Sequence, residues 1–258
     1  MRIAICQLNT VWKDKKANFD KFEKLLADND TGEIDLWVLP EMSFTGFSMD
    51  ISDTAEDDCL TVEHIKKLAW KYSVNIGFGW TKRCGEKAKN IYTIVSAQGE
   101  ILSDYAKIHP FSFANEDKYF EAGDTIPLFS ICDIPFSNVI CYDLRFPELF
   151  QIESVDAHMI LVPANWPASR SEHWKTLLRA RAIENQVYII ASNCVGDING
   201  LTYSGDSCVV NPLGEVLTML SNEEGLLIID VEDDALQYRN AFPQKKDRRN
   251  AFYAGLLK

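Results

Sequence analysis

Three stretches of the sequence place a reactive side chain where an apolar, strand-like run stops. "LWVLPE" ends at Glu41, "LSDYAK" at Lys107 and "NVIC" at Cys141. In α/β proteins ligands gather where strands leave the sheet, so an acid, an amine and a thiol at three such ends can serve one reaction. A cysteine attacks as its thiolate, which a nearby cation or a helix N-terminus favours. Lys107 offers the cation, and "RFPELFQ", with Pro147 near its first turn, offers the helix. A carboxylate such as Glu41 can take the thiol proton and return it to a leaving amine. Each residue also has a plainer account: a small buried cysteine, a surface acid after a proline, a solvated lysine. His109 and His173 keep a Cys–His pair open as an alternative.

The elements that must position these groups alternate along the chain. "RIAICQL" reads as a first strand, and "KANFDKFEKLLAD" spaces Phe19, Phe22, Leu25 and Leu26 as a helix does. "IDLWVLPE" is a buried strand, "VEHIKKLAWKY" a helix and "VNIGFGW" the next strand. "IYTIVSAQGEILSDYAK" is a hairpin around Gln98-Gly99, and "DSCVVNPLGEVLTML" a second one turning at Asn211-Pro212-Leu213-Gly214. "NVICYD" and "HMILVPANW" are short strands that should be neighbours. "SEHWKTLLRARAIENQ" is a helix opened by a Ser171 cap and leading into the strand "VYIIASN". "GLLIIDV" is a last strand. The hairpins imply mixed sheets, so the expected fold class is α/β, a four-layer α-β-β-α sandwich.

The chain has 258 residues, enough for one large domain. The expected division is 1–240 for that domain and 241–258 for a C-terminal tail. No apolar run approaches the ~20 residues of a membrane helix, and "MRIAICQLNT" lacks the features of a signal peptide. The expected setting is the cytoplasm. A formal charge of −12 argues against a nucleic-acid partner, which would call for a basic face. Seven scattered cysteines with no CxxC pair argue against structural zinc and a disulfide framework. Cys6, Cys132 and Cys208 lie in apolar runs and read as buried core.

Taken together, these blocks resemble a known family. "LPEMSFTGFSMD", "YAKIHPF" and "CYDLRFPELF" are similar to the three signature blocks of the nitrilase superfamily of carbon–nitrogen hydrolases. "ANWPASRSEHWKTLLRARAIENQVYIIASN" and "YSGDSCVVNPLGEVL" resemble its next two blocks, in the family's order. The likeness runs from Arg2 to about Val231 and is nearest to the ω-amidase subgroup, which cuts the distal amide of 2-oxoglutaramate and related acids.

The resemblance implies roles. Cys141 matches the nucleophile, Glu41 the general base and Lys107 the lysine of a triad, with no metal or organic cofactor. A second glutamate follows the lysine in this family. Within "HPFSFANEDKYFEAGD" the match is Glu116, with Glu121 as competitor. The backbone N–H of Tyr142 and the Lys107 ammonium would face the oxyanion. Asp143, Arg145 and Glu148 read as scaffolding, since buried charges need partners. An ω-amidase must also hold a carboxylate far from the amide it cuts. Arg170 is the leading candidate, with local pairing to Glu172 as its alternative. Asn165 and Trp166 would line the pocket as an amide donor and an aromatic wall, and Phe111 and Phe113 would close it. Another amide or carbamoyl substrate on the same triad remains open, as does a silent binding subunit. The family dimerises, so a homodimer is expected, with Trp174, Leu177, Leu178, Phe252, Tyr253 and Leu256 as apolar candidates for its contacts.

Overall fold

Alternation along the first strand explains the layering. In β1 (Arg2–Gln7), Ile3 and Ile5 face one way, Ala4 and Cys6 the other, and all four are fully buried. A strand buried on both faces needs a layer on each side. Ala4 and Cys6 pack with Phe22, Leu26, Ile65 and Leu68. Those side chains come from α1 (Lys15–Asp28) and, beyond β2 (Leu36–Val38) and the single turn α2 (Ile51–Thr54), from α3 (Leu60–Tyr72). Ile3 and Ile5 pack instead with Phe136, Ile140, Leu161 and Ile190 of a second sheet.

The computed structural model describes residues 1–256; Leu257 and Lys258 lie outside the described residues. After α3 come β3 (Asn75–Cys84), β4 (Lys87–Val95), β5 (Ile101–Ala106), the short α4 (Glu116–Tyr119), β6 (Phe129–Ile131) and β7 (Ile134–Asn138). Then follow α5 (Pro147–Glu153), β8 (Met159–Ala164), α6 (Ser171–Asn185), β9 (Tyr188–Asn193), β10 (Val195–Ile198) and β11 (Leu201–Val210). The chain closes with β12 (Val216–Ser221), β13 (Gly225–Asp230), α7 (Ala235–Ala241) and α8 (Asn250–Leu256). One sheet has the order β13-β1-β2-β3-β4-β5, the other β10-β11-β9-β8-β7-β6, with β12 paired to β11. Pairs β1–β2, β2–β3, β7–β8 and β8–β9 are parallel, and the rest antiparallel. With α1 and α3 on one outer face, and α5 and α6 on the other, the fold is an α-β-β-α sandwich with two mixed sheets. Both expected hairpins form, with Gly99 and Gly214 in the left-handed region at φ +80°.

Several local expectations are corrected. Ser171 is the first helical residue of α6 rather than its cap, and its hydroxyl donates to Asp206 at 2.7 Å. Trp174 and Leu178 are fully buried under α6 against the second sheet, so they are core and not an outer face. Cys132 sits exposed in the β6–β7 turn at φ +50°, not in the core. Among the described residues no helix is long and apolar enough to cross a membrane.

Beyond β13 the chain caps the ends of the outer helices. A helix leaves its last carbonyls without intrahelical donors. Gln244 Nε2 donates to the Ile183 and Glu184 carbonyls of α6, and Arg239 donates to the carbonyls of Gln186 (3.1 Å) and Ala157 (2.6 Å). Replacing Arg239 by alanine strands two partly buried acceptors served by a charged donor. Arg239→Ala is expected to cost about 2 kcal/mol of stability, read from urea unfolding, with kcat unchanged.

Candidate active site

Glu41 occupies a turn that β3 pins from below. Ser43 N–H donates to Gly79 O and Gly79 N–H to Ser43 Oγ, both at 2.9 Å. A Cβ on Gly79 would stand 2.3 Å from Met42 N and about 3 Å from the Glu41 backbone, so only glycine allows this approach. The Glu41 side chain is buried. Its Oε1 accepts from Lys107 Nζ (2.9 Å) and Asn90 Nδ2 (2.8 Å), and its Oε2 from the backbone N–H of Asn165 (2.9 Å). An ionised carboxylate has about four acceptor sites, so one on Oε2 stays open.

Lys107 directly follows β5 and is only 1% exposed. Its ammonium also donates to Glu116 Oε2 at 2.9 Å and lies 5.3 Å from the centroid of the Phe47 ring. Burial works to lower its pKa, but Glu116, Glu41 and Cys141 outweigh that and hold it well above the usual lysine range. It is a fixed cation. Two of its three N–H bonds are committed, and the third is available to a reacting oxygen.

Glu116, fully buried on α4, takes the place next to Lys107, while Glu121 is exposed beside Cys84. Glu116 also accepts from Phe111 N–H at 2.6 Å. Asn90 joins the cluster without having been singled out from sequence. Its Nδ2 donates to both Glu41 Oε1 and Glu116 Oε1, at 2.8 and 3.0 Å. Asparagine is depleted in strands, and one inside the apolar β4 is the signal that could have marked it.

β7 ends at Asn138, and Cys141 opens a 3-10 turn, Cys141–Arg145, at φ +47°. A left-handed non-glycine residue costs about 1–3 kcal/mol and persists only where its surroundings fix it. Asp143 does that. It accepts from Ile140 N–H (3.1 Å), Tyr105 O–H (2.8 Å) and His109 N–H (2.9 Å), and lies 2.8 Å from His109 Nδ1. The Tyr142 N–H has no acceptor among the described residues and is free for an oxyanion. α5 begins only at Pro147, so the turn that Cys141 opens is the short 3-10 one. The Cys141 pKa is raised, not lowered. Burial and the Glu41 charge push it well above the usual thiol range, against the pull of Lys107. The resting group is a thiol.

Cys141 and Lys107 open into a pocket of ≈ 190 Å³ with walls from Phe47, Phe111, Tyr142, Trp166, Leu201 and Tyr203. Arg145 and Arg170 also line it, stacked 4.7 Å over Trp166 and 5.6 Å over Phe111. Neither has a carboxylate within ion-pair distance among the described residues; Glu172 lies near Lys175 instead. Of the ion pairs or hydrogen bonds expected of a scaffolding Arg145, no ion pair forms among the described residues, and the hydrogen-bond contact is to His173 Nδ1 at 3.3 Å. Glu148 is exposed and does not reach the pocket. One N–H of the Asn165 amide donates to Glu41 O at 2.6 Å, which ties Asn165 to Glu41; the residue also lines the pocket, and its amide carries a second N–H. Trp166 is buried, its Nε1 spent on Arg170 O at 2.8 Å. Phe113 sits at the rim, exposed. Neither His109 nor His173 lines the pocket, and His109 is engaged by Asp143.

Comparison with known proteins finds the same kind of chain. The family model for carbon-nitrogen hydrolase matches residues 2–240. The sequence is 31% identical to the 2-oxoglutaramate amidase of Bacillus subtilis (strain 168), over 97% of this chain and 98% of that one. It is 35% identical to the omega-amidase YafV of Escherichia coli (strain K12), over 96% of each. Its fold matches a CN-hydrolase superfamily protein of Xanthomonas campestris, solved with an arsenic adduct in its active site. The TM-score is 0.90 at 33% identity, covering 96% of this chain and 97% of that one.

The electrostatics of Cys141 give a test whose sign is fixed. Removing the Glu41 charge removes a cause that raises the thiol pKa and leaves Lys107, which lowers it. The fold should persist, because one lysine then faces one carboxylate. Glu41→Gln is expected to alkylate faster with iodoacetamide at neutral pH, its rate–pH profile displaced to lower pH, while amide turnover is lost. Slower alkylation than in the parent protein would overturn this ordering of charges.

Proposed function

The chain belongs to the carbon-nitrogen hydrolase family and is an amide-hydrolysing enzyme; on that premise we propose that it cuts the distal amide of small dicarboxylic acid monoamides. The substrates are acids such as 2-oxoglutaramate and 2-oxosuccinamate, and the route is a cysteine thioester. The observation that carries this reading is the pair Arg145 and Arg170, two guanidiniums without carboxylate partners in the same pocket as Cys141. Unpaired cations at a partly buried site call for an anion, and a guanidinium takes a carboxylate in a fork. The relatives described as 2-oxoglutaramate amidase and omega-amidase support the same substrate class.

In the proposed reaction the open site on Glu41 Oε2 takes the Cys141 proton as sulfur attacks the amide carbon. The C=O bond opens to an oxyanion, held by the free N–H of Lys107 and by Tyr142 N–H. Losing one such donor typically costs about 3 kcal/mol. The C–N bond then breaks, and Glu41 passes its proton to the leaving ammonia. Water, deprotonated by Glu41, attacks the thioester and releases the acid, and the thiol regains its proton. Glu116 and Asn90 act through Glu41 and Lys107, keeping both in place.

A homodimer is part of this proposal, with residues 241–258 at its interface. On α8, Phe252, Tyr253 and Leu256 remain 48%, 49% and 65% exposed. Sedimentation at micromolar concentration is expected to give twice the 29.3 kDa chain mass. A monomer alone would refute the dimer.

The function is tested by ammonia release from a panel of ω-amides, nitriles and N-carbamoyl compounds. The parent protein should favour ω-amides of dicarboxylic acids, and Cys141→Ala should be folded and inactive. Arg170→Ala and Arg145→Ala should each raise KM for 2-oxoglutaramate roughly tenfold or more, with a smaller penalty on a neutral amide. Equal losses on charged and neutral amides would assign the arginines to scaffolding.

A further inference from the structure

Strands β10 and β11 form a hairpin turning at Asn199 and Gly200, at φ +48° and +77°. Alternation along β11 puts Leu201 and Tyr203 on one face, and both line the pocket that holds Cys141. Tyr203 is 5% exposed and packs with Cys194, Ile198 and Trp12, so its ring is held by its neighbours. A buried tyrosine hydroxyl normally finds a partner. Here Tyr92 donates to Leu39 O (2.9 Å), Tyr105 to Asp143 (2.8 Å) and Tyr188 to Asp234 (2.6 Å). Tyr203 is the one of these tyrosines whose hydroxyl makes no hydrogen bond to protein among the described residues, and the oxygen itself is not shut away from solvent. Burial and the nearby Cys194, Cys141 and Glu41 push its ionisation far up, with Arg170 pulling the other way. The phenol thus keeps its proton, within electrostatic reach of both the thiol and the arginine.

The charges around it restrict what a ligand can carry at that point. Lys107, Arg145 and Arg170 line the pocket; Lys107 is already paired with Glu41 and Glu116, while the two arginines have no carboxylate partner among the described residues. An ammonium on the substrate would meet the two unpaired guanidiniums. An uncharged acceptor oxygen would meet donors.

We propose that Tyr203 is a specificity-determining residue whose hydroxyl donates to the 2-oxo oxygen of a 2-oxo ω-amide, between the amide at Cys141 and the carboxylate at Arg170. The assignment rests on the ω-amide reading above. It makes the site selective for 2-oxo acids over the unsubstituted and 2-amino acids of the same length. Arg145 and Arg170 recognise the carboxylate common to all three, whereas Tyr203 reads the group beside it.

The test compares kcat/KM for 2-oxoglutaramate, glutaramate and glutamine in the parent protein and in Tyr203→Phe. The parent should prefer 2-oxoglutaramate. In Tyr203→Phe the ratio of 2-oxoglutaramate to glutaramate should fall about three- to tenfold, the worth of one hydrogen bond. Glutamine should stay poor, because the cations remain. The urea midpoint should not move, since the hydroxyl holds no protein group. An unchanged ratio overturns the proposal, whether both rates stay or both fall together. Failure of the ω-amide reading looks different: the parent protein would then release no ammonia from any of the three, and the role of Tyr203 would fall with it. A parent that cleaves 2-oxoglutaramate and glutaramate equally overturns only the assignment of Tyr203.

Discussion

A buried ammonium shared by two buried carboxylates sets the terms for the rest of the molecule. Lys107 donates to Glu41 and Glu116 at 2.9 Å each, and all three side chains are almost wholly withdrawn from water. Removing such ions from solvent costs several kcal/mol apiece, repaid only when geometry is tight and the remaining polar sites are filled. Filling them recruits distant parts of the chain. Asn90 comes from β4, the Phe111 N–H from the loop before α4, and the Asn165 N–H from the end of β8. The orientation of Asn90 follows from the same demand. Its Nδ2 must face the acids, since its oxygen would face two negative groups. Loss of the Lys107 cation would leave two buried carboxylates uncompensated, about 3–5 kcal/mol of destabilisation, so the cluster and the packing around it hold each other in place.

The site lies across the seam between the sheets. Glu41, Asn90 and Lys107 belong to the first sheet and its turns, while Cys141 and Asn165 follow β7 and β8 of the second. The apolar layer between the sheets, from Ile3, Ile5 and Tyr105 to Ile140, Leu161 and Ile190, therefore sets the distance from base to sulfur. Asp143 fastens the seam directly, joining Tyr105 and His109 on one side to the Ile140 backbone on the other. The same closeness governs the chemistry. Glu41 is near enough to Cys141 to raise its pKa, with burial as the larger cause, so the sulfur keeps its proton at rest. A thiol held protonated is also a poor target for adventitious oxidation, which favours thiolates.

Some of this was legible in the sequence because single residues carry local rules. Apolar runs that stop at Glu41, Lys107 and Cys141 marked three ends of one edge, and Gly99 and Gly214 marked the hairpins that exclude a purely parallel sheet. What failed to show needs three dimensions. The family resemblance favours Glu116 over Glu121, and the single turn of α4 is what sends it inward to Lys107, which the residues of that loop alone do not say. Arg145 sits amid Asp143 and Glu148, so pairing looked natural, yet Asp143 is saturated by other donors and Glu148 points to solvent. Ser171 has a good capping residue's chemistry, but Asp206 offers its hydroxyl a charged acceptor. Trp174 and Leu178 carry an apolar stripe that fits an interface as well as a core, and periodicity alone does not say which layer it faces.

Charge is distributed against the overall sign of the protein. The chain carries −12 formally, while its pocket presents Arg145 and Arg170 without carboxylate partners among the described residues, beside the Lys107–Glu41 pair. At a Debye length of about 8 Å in physiological salt, the surface charge does little to an approaching anion until it is near the mouth. Inside, the guanidinium carbons of Arg145 and Arg170 lie 4.7 and 5.6 Å from the ring centroids of Trp166 and Phe111. A guanidinium's planar fork loses less entropy per hydrogen bond formed than an ammonium does, so recognition there is short-ranged and geometrically strict. On the proposed reading, the carboxylate and the amide of one substrate must reach the guanidiniums and Cys141 within the same pocket, so the length of chain between them would decide the fit before charge does.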